Sequence, residues 1–247
     1  MKAATGTTPP GTENEQQAAG WVRQMFTEIA PRYDLLNHLL SFNIDRGWRR
    51  ALLGALAPVA ARTEANILDL CCGTGDVLLD LTRISKARTF GADFCHPMLV
   101  SAQQKAARRQ QAARLFEADA MVLPLADGTL DAIAIAFGFR NLSNYRAGLA
   151  EFARVLKPGG VLAILEFSHP PSAFVRAAYS VYARFLLPAI GGMISGSRAA
   201  YSYLPESIAK FPRAAELKEM MRNAGFAEPR FRLLSGGIAA LHTGTRG

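Results

Sequence analysis

An apolar run that ends in a glycine-rich turn is the feature that most constrains the fold of this chain. Residues 67–76 read Ile-Leu-Asp-Leu-Cys-Cys-Gly-Thr-Gly-Asp, and a helical segment follows. Gly73 and Gly75 allow the backbone to adopt positive φ and to approach a ligand closely. The first N–H groups of the following helix would point toward that ligand. The pattern therefore predicts a β-strand, a ligand-binding turn and a helix of a Rossmann-like sheet.

Strand and helix patterns alternate after this turn. Helical segments are predicted at 76–85, 97–109 and 145–156. Such alternation implies a mainly parallel sheet with right-handed crossovers. The last two strands flank Ser235-Gly236-Gly237 and predict a closing antiparallel hairpin. The predicted strands are 66–71, 89–93, 114–118, 131–136, 161–167, 230–234 and 238–242.

The length of 247 residues suits one α/β domain, which we place at residues 21–247. Residues 1–20 are polar and rich in Gly, Pro and Thr, so they are predicted to be a disordered tail. Residues 21–60 are predicted to be an N-terminal helical cap. Residues 172–212 are predicted to be a helical insert over the substrate site.

Composition narrows the class of protein further. Half of the residues are hydrophobic and 19% are charged, which excludes global disorder, and the net charge is +8. Lys105, Arg108 and Arg109 recur at helical spacing and are interpreted as a solvated helix face rather than a nucleic-acid site. The three cysteines have no CxxC spacing, so neither a metal site nor a disulfide framework is expected.

Two acidic residues follow the second and third strands. Asp93 lies twenty residues after Gly73, where a carboxylate can accept both hydroxyls of a ribose. Asp119 could accept a hydrogen bond from an adenine amino group. The third position of a dinucleotide GxGxxG pattern is Leu78, whose bulk argues against a dehydrogenase.

Several segments, in order and spacing, resemble the UbiE/MenG-type quinone-biosynthesis C-methyltransferases. The similarity covers about residues 21 to 245. The segments are 32–42 (RYDLLNHLLSF), 136–141 (AFGFRN), 166–170 (EFSHP), 201–208 (YSYLPESI) and 236–242 (GGIAALH).

The resemblance implies a class I methyltransferase fold with a mainly parallel seven-stranded sheet. It also implies S-adenosylmethionine as cofactor and C-methylation of a polyprenyl hydroquinone, either demethylmenaquinol or a methoxy-polyprenyl-benzoquinol. This chain departs from the family at Ala136, where a serine is usual. The candidate cofactor-binding residues are Asp69, Gly73, Thr74, Gly75, Asp93, Phe94, Met98, Asp119, Ala120 and Ala136.

Four residues are candidates for the chemistry. Arg140 could stabilise a developing phenolate or hold a water that accepts the proton, and Asn141 could orient that water or a ring oxygen. Tyr33 and Tyr201 could stack on the quinol ring and donate to its oxygens. A structural alternative stands beside each role. Arg140 could form an Arg–Asp surface pair, Asn141 could cap the next helix, and the tyrosines could be ordinary packing residues.

A lipid substrate and a basic charge lead us to expect a cytoplasmic protein that is peripheral at the inner face of the cell membrane. The apolar stretch 175–194 could admit a prenyl tail or be a buried cap. No nucleic acid is expected as partner, and a homodimer is left open. Two rival functions are methylation of another small molecule, such as a sterol or phospholipid amine, and a cofactor-binding scaffold without activity.

Overall fold

The computed structural model describes residues 5–34, 43–181 and 198–247. Within these ranges seven strands form one sheet in the order β3-β2-β1-β4-β5-β7-β6. The final strand β7 runs antiparallel to both of its neighbours, and the other neighbouring pairs are parallel. The predicted mainly parallel sheet with a closing antiparallel hairpin is therefore confirmed.

The strands are β1 (Asn66–Leu70), β2 (Arg88–Asp93), β3 (Leu115–Glu117), β4 (Leu130–Ala136), β5 (Leu156–Phe167), β6 (Phe226–Leu234) and β7 (Ala239–Arg246). The helices are α1 (Glu15–Ile29), α2 (Asp45–Ala60), α3 (Asp76–Ile84), α4 (His96–Arg108), α5 (Tyr145–Val155), α6 (Ala173–Val181), α7 (Arg198–Lys210) and α8 (Ala214–Asn223). A short 3₁₀ turn, Phe139–Asn141, follows β4.

The central strand β4 shows why the sheet is covered on both faces. Its isoleucines, Ile133 and Ile135, lie in the hydrophobic cluster that includes the buried side of α5. Its alanines, Ala132 and Ala134, lie in the cluster formed with α2. Because side chains alternate across a strand, one face is large and the other small, and the small face lets α2 approach closely. Burying each isoleucine contributes roughly 1.5–3 kcal/mol.

The N-terminal region differs from the predicted disordered tail. Helix α1 begins at Glu15, before residue 21, and the side chain of Asn14 caps it by accepting a hydrogen bond from the Gln17 amide at 2.9 Å. Thr7 is buried, at 6% exposure. The reason is tertiary, because Thr5 and Thr7 make backbone hydrogen bonds with Tyr145 and Leu142. The composition of this segment shows only that it has no helix or strand periodicity of its own.

The helices predicted as a cap and as an insert are seen in part. Helix α2 and the part of α1 from residue 21 onward lie within the predicted cap, and α6 and α7 lie within the predicted insert. Residues 35–42 and 182–197 lie outside the described part of the chain, as do the side chains of residues 178–202. Much of the motif at 32–42 and most of the apolar stretch 175–194 therefore fall there. Among the described helices, none is long and apolar enough to cross a membrane.

The sheet brings the candidate site together. Parallel strands β1, β2, β4 and β5 end at one edge, and ligands of open α/β sheets bind at the carboxyl ends of the strands. The glycine turn, Asp93 and the AFGFRN segment all follow strands at this edge.

Candidate active site

The glycine turn after β1 is held by the end of β2. Gly73 and Gly75 have φ of 54° and 83°, which only glycine adopts without strain. One carboxylate oxygen of Asp93 accepts the Gly73 amide at 2.8 Å, and the other accepts the Cys95 amide at 2.9 Å. Burial raises the pKa of Asp93, and these two amides oppose that rise. The Phe94 amide contributes in the same way, and the carboxylate still has lone-pair capacity that can accept a ligand hydroxyl.

Asp69 lies beneath the turn. Its side chain is 1% exposed and accepts a hydrogen bond from the Leu78 amide in the first turn of α3. The other carboxyl oxygen finds no hydrogen-bond partner within residues 5–34, 43–181 and 198–247. Burial raises the pKa of Asp69 well above its usual value, and the nearby Asp93 carboxylate adds to this. Asp69 therefore supports the turn from the protein side.

A charged network joins the turn to three helical elements. The Thr74 hydroxyl donates to Asp34 at 2.5 Å and accepts from the Lys105 ammonium at 3.0 Å. Lys105 also pairs with Asp34 at 2.6 Å and with Asp76 at 2.9 Å, and Arg49 of α2 pairs with Asp76 at 2.5 Å. The Lys105 side chain is only 16% exposed, so its interpretation as part of a solvated helix face is wrong.

The N-terminal cap covers the turn from above. Tyr33 lies over Gly73, where an added Cβ would come 3.7 Å from the tyrosine Cε1. Phe94 follows β2, and the guanidinium of Arg23 lies 5.3 Å from its ring centroid. Met98 is 1% exposed and packs in the cluster that α1 forms with α4. These candidates therefore form a lid of side chains beside the turn.

The remaining cofactor candidates line the edge on either side. Asp119 is half-buried after β3, and one of its oxygens accepts the Met121 amide at 2.9 Å. Ala120 is buried beside it, and Ala136 ends β4 in a half-buried position. Ala136 has no side-chain oxygen, so a ligand can form hydrogen bonds only with its backbone.

Arg140 forms a buried ion pair with Glu166 at the end of β5. One terminal nitrogen of Arg140 lies 3.0 Å from Glu166 Oε1 and also donates to the Phe137 carbonyl at 2.5 Å. The Glu166 carboxylate accepts the backbone amides of Arg140 and Phe167 as well. Arg140 is 7% exposed and Glu166 is fully buried. The structural alternative of a surface Arg–Asp pair is therefore corrected to a buried Arg–Glu pair.

The charge of Arg140 is secured by its surroundings. Burial is the largest single effect and disfavours the charged form, but the Glu166 carboxylate, together with smaller contributions from Tyr203 and Tyr33, outweighs it, and the pKa of Arg140 is raised. Arg140 Nε is buried and has no hydrogen-bond partner in the part of the chain that the structure describes. This N–H is a donor that a ligand oxygen could accept.

Asn141 has a different neighbourhood from the one expected of a helix cap. Its Oδ1 accepts from the Tyr203 hydroxyl at 2.9 Å, and its Nδ2 lies 3.4 Å from the Phe137 carbonyl. The cap of α5 is Asn144, which accepts the Ala147 amide at 3.0 Å. Tyr201 lies in α7, and its side chain is outside the described part of the chain.

Three aromatic rings pack beside Arg140. The Phe137 and Phe167 ring centroids are 4.8 Å apart, and Trp48 of α2 lies 5.8 Å and 6.1 Å from them. The Arg140 guanidinium lies 5.4 Å from the Phe167 ring. Phe137 has a φ of 59°, a strained conformation for a bulky residue. Arg140 and Asn141 stabilise it by binding its carbonyl.

Cys71 and Gly138 approach each other where the first and fourth strands end. Cys71 has a φ of 56°, and burial raises the pKa of its thiol, so the thiol stays neutral. Gly138 has an ordinary φ of −103°, but a Cβ added there would lie 2.3 Å from the Cys71 Cβ. Gly138 is thus required by close approach rather than by backbone conformation.

The residues at this edge fit S-adenosylmethionine, the cofactor that the sequence implies. The Asp93 carboxylate can accept from the ribose hydroxyls, and Asp119 can accept from an amino group. Glycine is required at position 75, because a Cβ there would lie 3.1 Å from the Ala102 Cβ, and this lets the turn stay tight against the fold. The N–H groups of α3 begin directly after this turn.

Sequence reasoning missed three residues that shape the site: Glu166, Lys105 and Thr7. A signal existed for Glu166, since it is an acid at the end of the otherwise apolar run 161–167. The sequence places Lys105 on a helix but does not indicate its partners, because they come from distant elements. Thr7 carried no signal in its Gly/Pro/Thr segment.

Comparisons with known proteins agree with this geometry. The sequence matches the ubiE/COQ5 methyltransferase family over residues 12–246. A demethylmenaquinone methyltransferase of Thermus thermophilus is 50% identical over 223 residues, which cover 90% of this chain and 100% of that protein. The ubiquinone/menaquinone biosynthesis C-methyltransferase UbiE of Syntrophotalea carbinolica is 46% identical over 225 residues, which cover 91% of this chain and 93% of the relative.

Solved structures share the fold. A SAM-dependent methyltransferase of Thermotoga maritima aligns with a TM-score of 0.61 at 20% identity, over 91% of this chain and 99% of that one. At this identity the likeness concerns the fold alone. It confirms the predicted class I Rossmann-like architecture.

The buried pair predicts a large stability effect. Arg140→Ala leaves the Glu166 carboxylate buried without its countercharge, so the free energy of unfolding should fall by about 3–5 kcal/mol. Arg230→Ala is the matched control, because it breaks a pair whose side chains are each 77% exposed and should cost less than about 1 kcal/mol. Urea unfolding of both variants measures the difference, and equal losses would contradict the assignment.

Proposed function

The chain belongs to the ubiE/COQ5 methyltransferase family, and we infer that it transfers a methyl group from S-adenosylmethionine to a ring carbon of a polyprenyl hydroquinone. The predicted family, methyltransferase activity and cofactor are thereby confirmed. The structural observation that carries the site is the position of Tyr33. Its ring lies over Gly73 of the cofactor turn, and Tyr33 adds to the rise in the pKa of Arg140.

The cofactor, when bound, supplies an electrophilic methyl group on a sulfonium. The task of this chain is to hold the acceptor ring in line with it and to manage the phenolic proton, since alignment alone can supply several kcal/mol. We propose that Asp93 binds the ribose and Asp119 the adenine. The turn at residues 73–75 would approach the remainder of the cofactor through its backbone.

Arg140 is proposed to act on the acceptor ring. The Glu166 carboxylate holds it protonated, so it cannot serve as a direct base. Its Nε–H can donate to the ring oxygen and stabilise the phenolate that forms as the proton leaves. Asn141 would donate through the second N–H of its carboxamide. The rings of Phe137 and Phe167 offer an apolar wall for the acceptor.

The relatives favour one ring type over the other. The protein at 50% identity is named demethylmenaquinone methyltransferase, and so is a Deinococcus radiodurans relative at 44% identity. We propose demethylmenaquinol as the principal acceptor. A methoxy-polyprenyl-benzoquinol is the second candidate, because the 46% identical relative is named for both ubiquinone and menaquinone biosynthesis.

The proposed activity is tested with purified protein, methyl-labelled S-adenosylmethionine and each hydroquinone in separate assays. We expect label in the demethylmenaquinol ring, at a higher kcat/KM than in the benzoquinol. Binding of the cofactor without labelling of either ring would contradict the proposed activity and favour an inactive scaffold. Labelling of a phospholipid amine or a sterol instead would favour the other rival.

Arg140→Lys separates chemistry from packing in the same assay. Lysine keeps a positive charge beside Glu166 but lacks the planar fork and the Nε donor. We expect a folded protein with unchanged cofactor affinity and a kcat lower by on the order of 10²-fold. A wild-type kcat in this variant would leave Arg140 with a structural role alone.

Asp93→Ala should weaken cofactor binding. The change removes a charged acceptor for the ribose and releases the Gly73 amide from the carboxylate. Affinity for S-adenosylmethionine should fall roughly 10- to 100-fold by calorimetry, as expected for hydrogen bonds to a charged group. Asp127→Asn is the control, because Asp127 is 78% exposed in a surface pair with Arg154. Unchanged affinity in folded Asp93→Ala would refute the ribose assignment.

We further propose that the protein associates peripherally with anionic membranes. The support is its net charge of +8, its lipid substrate and the 84% exposed Phe174 at the beginning of α6. An aromatic side chain at a membrane interface and basic residues nearby both favour such contact.

Liposome flotation tests the membrane proposal with vesicles of phosphatidylglycerol and phosphatidylethanolamine. Binding should be clear at low salt and weaker at about 0.5 M salt, where the Debye length is only a few ångströms. Phe174→Ala should reduce it further, whereas Val122→Ala, an exposed apolar residue after β3, should not. Absence of flotation at low salt would defeat the proposal.

A further inference from the structure

The N-terminal segment 5–9 crosses the loop that carries Arg140 and Asn141. The Thr7 amide donates to the Leu142 carbonyl at 2.8 Å, and the Tyr145 amide donates to the Thr5 carbonyl at 2.8 Å. Gly6 lies between them so closely that a Cβ would come 1.8 Å from the main-chain oxygen of residue 143. The segment is therefore fitted against this loop through its backbone.

Thr7 begins a chain of hydrogen bonds that ends at the active site. Its hydroxyl lies 2.7 Å from the Tyr203 hydroxyl, which donates to Asn141 Oδ1 at 2.9 Å. The phenolic proton is committed to Asn141, so Thr7 must be the donor to Tyr203. The direction of the chain is fixed from Thr7 through Tyr203 to Asn141.

The Phe137 carbonyl, which can only accept, and the Tyr203 hydroxyl on the other side determine which way the Asn141 carboxamide faces. Its oxygen is held toward Tyr203, and its nitrogen faces the Phe137 carbonyl at 3.4 Å. One N–H of that nitrogen is used there, and the second is free to meet a ligand oxygen. Rotating the amide by half a turn would place two donors against Tyr203 and an oxygen against a carbonyl.

We propose that Thr7 and Tyr203 are positioning residues, which make the N-terminal segment part of the active site. The inference rests on the proposed function, because it assumes that Asn141 acts on the acceptor ring. Thr7 and Tyr203 need not touch the substrate. They hold the Asn141 N–H in the orientation that a ring oxygen requires.

The surroundings of Tyr203 prevent another arrangement. Its side chain is 4% exposed, its ring lies 5.1 Å from that of Trp21, and it packs among Val22, Met25 and Met98. Because interior side chains are close-packed, the ring cannot move to replace a lost partner. At the other side of the segment, Lys210 donates to the Thr8 carbonyl at 3.1 Å.

The test compares Thr7→Val, Thr7→Ser and Tyr203→Phe in the full chain. Thr7→Val and Tyr203→Phe should each lower kcat about 10-fold, the effect of one hydrogen bond, with unchanged affinity for S-adenosylmethionine. The double variant should lose little more than either single one, since both break the same chain. Thr7→Ser keeps the hydroxyl and should retain activity. Thr12→Val is the control, because the Thr12 hydroxyl donates to the nearby Pro9 carbonyl.

Several results would overturn the inference. It fails if Thr7→Ser is as impaired as Thr7→Val, if the losses of the two single variants simply add, or if kcat does not change. If kcat falls among the variants in step with the melting temperature, the hydrogen bonds from Thr7 to Asn141 have only a structural role.

A second readout does not depend on turnover. The side-chain amide signals of Asn141 in a nitrogen-15 NMR spectrum should shift in Thr7→Val and stay in place in Thr12→Val. If the wild-type protein methylates neither hydroquinone, the proposed function fails by that result alone. The amide signals then decide whether Thr7 orients Asn141, and an unshifted spectrum refutes it.

Discussion

The site depends first on the ion pair between Arg140 and Glu166, which is buried where β4 and β5 end. Removing two charges from water costs several kcal/mol for each, and their attraction offsets this only when further hydrogen bonds complete the geometry. Here the carboxylate also accepts two backbone amides, and the guanidinium also binds the Phe137 carbonyl. The pair thereby holds the strained turn at Phe137 in place. Asn141 lies in the same loop, so its position depends on the pair as well.

The cofactor side of the site is held by a different kind of interaction. A network of four side chains holds the turn, formed by Asp34, Thr74, Lys105 and Asp76. The side chain of Asp34, which belongs to the cap, is 37% exposed. Pairs at that exposure are worth about 0–1 kcal/mol each and weaken with salt. The ion pair that joins Asp34 of the cap to Lys105 is therefore much weaker than the buried pair between Arg140 and Glu166.

The parts of the fold that were predictable from sequence are those that local pattern determines. The strands, the glycine turn and the closing hairpin each have a periodicity or a turn chemistry of their own, and Asp93 follows a strand at a fixed distance from Gly73. Lys105 and Thr7 were misjudged because their partners lie far away in sequence. A lysine on a helix looks solvated until Asp34 and Thr74 are folded beside it. A Gly/Pro/Thr segment looks disordered until its backbone meets the loop after β4.

Cys71 and Gly138 limit the order in which this sequence can change over evolutionary time. A side chain at position 138 would collide with the Cβ of Cys71, so it is admissible only after position 71 has become glycine. The reverse step needs no preparation, since glycine suits the positive φ at position 71 better than cysteine does. A change at position 138 that comes first produces a steric clash, whereas Cys71→Gly followed by a change at position 138 does not. The present cysteine therefore keeps position 138 closed to variation, and its replacement by glycine would open it.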